Sequence, residues 1–450
     1  MIAAPRSGSG KTVVTAALLA VLRRRGLAPC AFKCGPDYID PLFHRAVLGV
    51  QSHNLDLFLS DAATVRALYA RYSRGAGAVV CEGVMGYYDG VGGTTDAASA
   101  WHLADTLALP VLLVLRPKGA SLTLAAEVRG LLHYRPQSHM KGILLNDCTP
   151  MLHAALAPML ERETGLPVLG YLPHRAEAEI ESRHLGLRTA GEIDGLAARI
   201  AALADQMERT VDLPRLLALF AVAPPQVVSP PLPPPIVTRI AVARDAAFSF
   251  VYEETLDALR LAGAELVFFS PLRDAALPDQ IGGLYLPGGY PELYAGALSA
   301  NTAMRAALRA AVRGGLPTVA ECGGFLYLCE SLEDADGTAW PMAGALPGRG
   351  VKTKKLVRFG YMTLTARADS LLFAGGARCP AHEFHYWDCT ENGAALHAEK
   401  PVSGRAWDCC VTGPTLYAGF PHLYFAGSPT LARRFVRGAA AYNEQERAKQ

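Results

Sequence analysis

"MIAAPRSGSGKTVVTAALLAVLRRRG", residues 1–26, decides how the first half of this chain folds. A short apolar run leads into a turn carrying Gly8 and Gly10, and a long helix-forming stretch follows. Such a turn at a helix N-terminus aims backbone N–H groups, and the positive end of the helix dipole, at a phosphate. Ser7, Gly8, Ser9 and Gly10 supply the cradle, Lys11 reaches the outer phosphates and Thr12 offers its hydroxyl to Mg²⁺. The pattern predicts a P-loop that binds ATP. Pro5 stands where the usual pattern has its first glycine. The strand before the loop is unusually short, which leaves room for a native start upstream of Met1.

A magnesium–phosphate site needs carboxylates. "FKCGPDYIDPLFH", residues 32–44, presents Lys33, Asp37 and Asp40 in what reads as a Pro-interrupted loop. "VVCEGVMGYYDG" puts Glu82 just past a buried strand and Asp89 in the loop beyond. Ligand-contacting groups of open α/β sheets gather at the carboxyl ends of strands. Asp37 and Glu82 therefore join Thr12 as candidate metal ligands, and Lys33 joins the ATP site. The alternative for each acid taken singly is a turn carboxylate satisfied by backbone N–H groups. "KGILLND" ends in Asn146, whose amide is a candidate reader of the adenine edge.

Outward from these motifs, continuous apolar runs alternate with amphipathic stretches. "GAVVCEG", "PVLLVLRP", "KGILLND" and "LPVLGYLP" read as parallel strands buried on both faces. Residues 221–235, "AVAPPQVVSPPLPPP", are rich in proline and nearly free of charge, the mark of a stiff extended linker. Beyond it "RIAVARD", "AELVFFSP", "GGLYLPGG", "PTVAEC" and "TLYAGFPH" repeat the style. The expected organisation is two tandem doubly wound α/β domains, residues 1–220 and 238–450, joined by linker 221–237.

Composition narrows the function. A net charge of +2 with 19% charged residues argues neither for nucleic acid nor for a membrane surface. No apolar run reaches the roughly 20 residues of a bilayer span, and the N-terminus lacks a signal peptide, so the cytoplasm is the expected location. The ten cysteines show no paired spacing for zinc or a disulfide framework.

One of those cysteines is different. In "AECGGFLYL", residues 320–328, an apolar strand runs straight into Cys322 and a helical stretch follows. A strand–nucleophile–helix turn exposes a side chain beside a helix N-terminus, which is expected to lower the thiol pKa. Gly288 and Gly289 in "LYLPGGYPELY" suit an oxyanion hole. His422 in "YAGFPHLYF" is the candidate general base.

Together "APRSGSGKT", "FKCGPDYIDPLFH", "CEGVMGYYDG", "YLPGGYPELY", "AECGGFLYL" and "HEFHY" resemble the cobyrinate a,c-diamide synthase family over nearly the whole chain. The resemblance implies a dethiobiotin-synthetase-like ATPase domain followed by a class I-type glutamine amidotransferase domain. It implies that glutamine hydrolysis at Cys322, paired with His422, releases ammonia. ATP then activates a corrin carboxylate as an acyl phosphate, and the c and a acetates become amides, c first. The family's synthetase carboxylates fall on Asp37, Asp40, Glu82 and Asp89, with Asp40 and Asp89 expected to be catalytic. Cobyrinate, glutamine and ATP are the implied partners, and a homodimer is left open. Ordinary class I amidotransferases carry a Glu two residues past the histidine, where this chain has Tyr424, so something else must orient His422.

Two runs stay open. Lys352, Lys354, Lys355 and Arg358 either meet corrinoid carboxylates or form a solvated loop. Glu383 and His385 in "HEFHYWD" match the family without an assigned chemistry. Two other functions compete: a partitioning-type switch ATPase, for which Arg6 stands in the place of a signature lysine, and the same ligase acting on hydrogenobyrinate, nickel-sirohydrochlorin or adenosyl-cobyrinate diamide.

Overall fold

In the computed structural model, which describes residues 1–174, 195–223 and 235–449, the chain forms two compact units, Met1–Pro230 and Pro231–Gln450. Most of the proline-rich linker, residues 224–234, lies outside the described residues.

The first unit is built on seven parallel strands: β1 (Ile2–Ala3), β2 (Pro29–Cys34), β3 (Gln51–Leu55), β4 (Ala78–Glu82), β5 (Val111–Leu115), β6 (Met140–Asn146) and β7 (Val168–Leu172). Their order is β3-β2-β4-β1-β5-β6-β7. Strand alternation divides the apolar side chains between two cores. Ile2, Leu112 and Val114 face one, with the helices Lys11–Arg24 and Leu196–Thr210. Ala3, Leu113 and Leu115 face the other, against Val65, Leu103, Val128 and Leu160 from four further helices. Burial on both faces is why these strands read as unbroken apolar runs.

The second unit also carries a central sheet, here of six strands. β8 (Thr238–Ala243), β9 (Ala264–Phe269), β10 (Gly283–Leu286) and β11 (Thr318–Glu321) are parallel, and strand Leu416–Gly419 pairs in parallel with β11. Two smaller sheets extend it. Four short strands between Ser331 and Cys389 form one, and Arg358–Ala366, Arg378–His385, Leu396–Glu399, Ala406–Cys409 and His422–Leu423 form an antiparallel other. These two sheets are additions to the doubly wound pattern expected from the sequence. Lys33 and Asp40 are also placed differently from that expectation: Lys33 lies inside β2, and Asp40 in the first turn of helix Ile39–Leu48. Among the described residues no helix is long and apolar enough to cross a membrane.

Candidate functional site

In the first unit the P-loop turns on two glycines with positive φ, Gly8 at 77° and Gly10 at 98°. A Cβ on Gly10 would collide with the Asn146 amide, whose Nδ2 donates to the Ser9 carbonyl at 3.0 Å. Asn146 thus lies against the loop itself. Ser9 Oγ donates to the Arg6 carbonyl at 3.0 Å, and Ser7 lies exposed on the turn. Lys11 Nζ reaches the Met85 carbonyl at 2.5 Å. Burial, and then the neighbouring Lys33, pull the Lys11 ammonium down to about 8, and an anion bound beside it favours the charged form.

Around Thr12 the acids converge. Thr12 Oγ1 donates to Glu82 Oε1 at 2.7 Å, and Lys33 Nζ donates to the same oxygen at 2.8 Å. Lys33 also lies 2.6 Å from Asp40 Oδ2 and 3.9 Å from Asp37 Oδ2. Burial opposes the Lys33 charge, but Asp40 and Glu82 outweigh it and hold the ammonium well above the ordinary lysine range. Glu82 is fully buried, and its Oε2 has no hydrogen-bond partner among the described residues. An orphaned carboxylate oxygen beside a P-loop hydroxyl fits Mg²⁺, which binds through one or two carboxylates and the substrate's phosphates. Asp37 Oδ1 accepts from the N–H groups of Ile39 and Asp40 at 2.8 and 3.2 Å. Asp89 Oδ2 accepts from Gly86 N–H at 2.9 Å. Both therefore order their loops, whatever else they do. Asn54, which the sequence reading missed, ties the Asp37 loop down through the carbonyls of Gly35 and Asp37 at 3.0 and 2.7 Å.

In the second unit Cys322 has φ 47° and ψ −104°, a conformation that a non-glycine residue takes only under strain. It caps the short helix Gly323–Leu328 and follows β11 directly, and its N–H donates to the Gly419 carbonyl at 2.7 Å. A Cβ on Gly323 would lie 3.1 Å from the Gly289 nitrogen, and one on Gly288 would lie 2.5 Å from His422 Cε1. Cys322, His422, Gly288 and Gly289 therefore meet in one place. Burial pushes the Cys322 thiol up, with Glu292, Glu383 and Glu321 adding to it against the Gly323 N–H, which pulls the other way. The expectation that the turn beside a helix N-terminus lowers this pKa is overturned, because one short helix does not offset full burial among acids. The thiol needs a base.

His422 stacks on His382 at 5.0 Å between ring centroids, and His382 Nε2 meets Tyr252 OH at 2.7 Å. Burial, and then His422, hold His382 neutral, far below the usual histidine range. Tyr424 packs edge-on to Tyr252 and supplies no acid. Nearby, Glu383 is fully buried and its Oε2 lies 3.3 Å from His385 Nε2, while His385 Nδ1 meets the Trp387 carbonyl at 2.7 Å. Glu321 and Tyr285 were missed, since no local pattern marks an acid and a phenol that meet only across strands, and Glu292, buried in the turn Pro291–Tyr294, was missed as well.

Comparison with known proteins adds names to this geometry. Residues 1–187 match the CobQ/CobB/MinD/ParA nucleotide binding domain, and residues 239–430 the CobB/CobQ-like glutamine amidotransferase domain. The chain is 38% identical to the cobyrinate a,c-diamide synthase of Dehalococcoides mccartyi, with 97% of each chain covered. It is 42% identical to that of Gloeobacter violaceus over 98% of this chain and 97% of the other. It is also 39% identical to the hydrogenobyrinate a,c-diamide synthase of Thermobifida fusca over 99% and 97%.

Proposed function

This chain belongs to the cobyrinate a,c-diamide synthase family, and from that premise we propose that it amidates the c and a acetates of cobyrinate through an acyl phosphate. It is an ATP-dependent ligase with glutamine as the nitrogen donor. The observation that carries the reading is the meeting of Cys322, His422, Gly288 and Gly289 at a strained elbow.

Cys322 sulfur attacks the side-chain amide carbon of glutamine while the thiol proton passes to His422. The Gly289 N–H steadies the oxyanion, and collapse of the adduct breaks the C–N bond as His422 returns the proton to the leaving ammonia. Water then attacks the thioester, giving glutamate and restoring the thiol. In the other unit the acceptor carboxylate takes the γ-phosphoryl group of ATP, and ammonia displaces phosphate at the acyl carbon.

Thr12 and Glu82 are the residues that would hold Mg²⁺, with Asp37 next in line. Bound there, the ion neutralises phosphate charge. Lys11 and Lys33 supply the chain's own cations, the P-loop N–H groups cradle the phosphates, and Asp40 and Asp89 order the acceptor side. We place the reaction in the cytoplasm.

Hydrogenobyrinate is the second acceptor to weigh, favoured by the relative of that name in Thermobifida fusca. Incubating the purified chain with each acid, ATP and glutamine, and weighing the products, decides between them. Diamide from cobyrinate supports the proposal, and turnover of hydrogenobyrinate alone transfers it to the second acceptor. Amidation of neither sinks the corrinoid reading.

A further inference from the structure

Glu321 immediately precedes the candidate nucleophile, yet its side chain goes elsewhere. Strand alternation along β11 puts Val319 in the core that holds Tyr285 and Leu423, and Ala320 and Cys322 in the core on the other side. Glu321 follows Val319: it is 1% exposed, its Oε2 accepts from Tyr285 OH at 3.0 Å, and its Oε1 accepts from the Leu423 N–H at 3.1 Å. The second contact anchors it to the residue beside His422. Oε2 then lies 3.7 Å from His422 Nδ1. Among the described residues no Lys or Arg lies within 4.0 Å of this carboxylate, so His422 is the one cationic partner it can have.

We propose that Glu321 is the positioning residue for His422, the acid of a Cys322–His422–Glu321 triad whose carboxylate comes from the residue before the nucleophile. The inference rests on the proposed roles of Cys322 and His422. A carboxylate facing Nδ1 selects the tautomer that carries its proton there, leaves Nε2 to take the thiol proton, and stabilises the imidazolium that forms. At 3.7 Å the contact is too long for a hydrogen bond, and such contacts shorten when substrate is in place. The neutral His382 stacks on the face of the ring and supplies no countercharge, whereas the Glu321 carboxylate faces Nδ1.

Glu321→Gln keeps the shape and an acceptor for Leu423 while removing the charge. Its kcat for glutamine hydrolysis is expected to fall about 10³-fold, with KM for glutamine unchanged within about threefold. A second readout distinguishes positioning from a field effect. Glu321 itself pushes the Cys322 thiol up, after burial, Glu292 and Glu383, so a charge acting on sulfur alone would speed iodoacetamide alkylation of Cys322 at pH 7 when removed. Acting through His422, its removal slows alkylation at least about fivefold. If Glu321→Gln does not fold, Glu321→Asp, which draws the charge back by one methylene, is expected to lose about tenfold in kcat at constant KM. Unchanged kcat in the folded variant, or faster alkylation, overturns the inference. Cys322→Ser separates the two readings: hydrolysis surviving in it means the nucleophile itself is wrong, whereas a dead Cys322→Ser beside a normal Glu321→Gln sinks only the triad.

Discussion

The two units each bury acid against a side chain able to carry positive charge, and they differ in which side chain that is. In the first, Asp40 and Glu82 surround Lys33, whose ammonium is held well above its ordinary range and stays charged at any working pH. In the second, Glu321 faces His422, an imidazole that can accept and return a proton. A fixed cation among fixed anions suits holding phosphates and carboxylates against their mutual repulsion. A titratable ring beside a protonated thiol suits moving a proton. The contrast matches the division of labour proposed for the chain: charge balancing in one unit and acid–base chemistry in the other.

Cys322→Ser has the largest expected effect. Glutamine-dependent amidation should fall by at least about 10³-fold, while ammonium salts continue to support it, because only the ammonia source is removed. Failure of ammonium to rescue a folded variant would merge the two chemistries that the comparison separates.

Glu82→Gln comes next. It takes away the charge opposite Thr12 and Lys33 and the orphaned oxygen that fits Mg²⁺. Amidation should drop about 100-fold with either nitrogen source. Near-normal rates with ammonia would remove Glu82 from the site.

Smaller effects are expected at Asp40 and Asp89. Asp89→Asn retains an acceptor for the Gly86 N–H, and Asp40→Asn retains the first-turn position while losing the pair with Lys33. Each should depress diamide formation about tenfold or more while nucleotide affinity changes less than about threefold. Glutamine hydrolysis should be preserved in both. Parallel loss of nucleotide affinity would assign these loops to the ATP pocket.

What the sequence revealed of these sites follows from how local each signal is. Gly8, Gly10, Lys11 and Thr12 are legible because one turn and one helix end define a phosphate cradle. Cys322 is legible because a strand, a tight turn and a helix are adjacent in the chain. Glu321 sits beside it and was passed over, since its partners Tyr285 and His422 lie 36 and 101 positions away and meet it only when β10 and the final short strand close around β11. Lys33 read as a loop residue because Gly35 and Pro36 follow it so closely. The added strands of residues 331–413 stayed hidden because most are short and many of their side chains are only partly buried. Arg358–Ala366 alternates buried and partly exposed side chains where the central strands run continuously apolar.

The smallest predicted effect is a pH dependence. Burial pushes the Glu292 carboxyl up to about 7 from 4.5. Between those values the folded chain keeps a proton that the unfolded chain has lost, so this group's contribution to stability falls as pH rises through that window and is level above about 7. Subtracting the melting temperatures of Glu292→Gln from those of the parent across this range should reveal that slope. A flat difference would show that the carboxyl is better solvated than its surroundings indicate.

Nitrogen freed at Cys322 is proposed to end in the corrinoid product. This transfer is tested most directly by supplying glutamine carrying heavy nitrogen in its side-chain amide, together with ATP and cobyrinate or hydrogenobyrinate, and weighing the product. A diamide bearing two heavy nitrogens is expected from the parent chain, and none from Cys322→Ser unless heavy ammonium is added. Glutamine turned over to glutamate with no heavy nitrogen in either corrinoid would contradict the transfer.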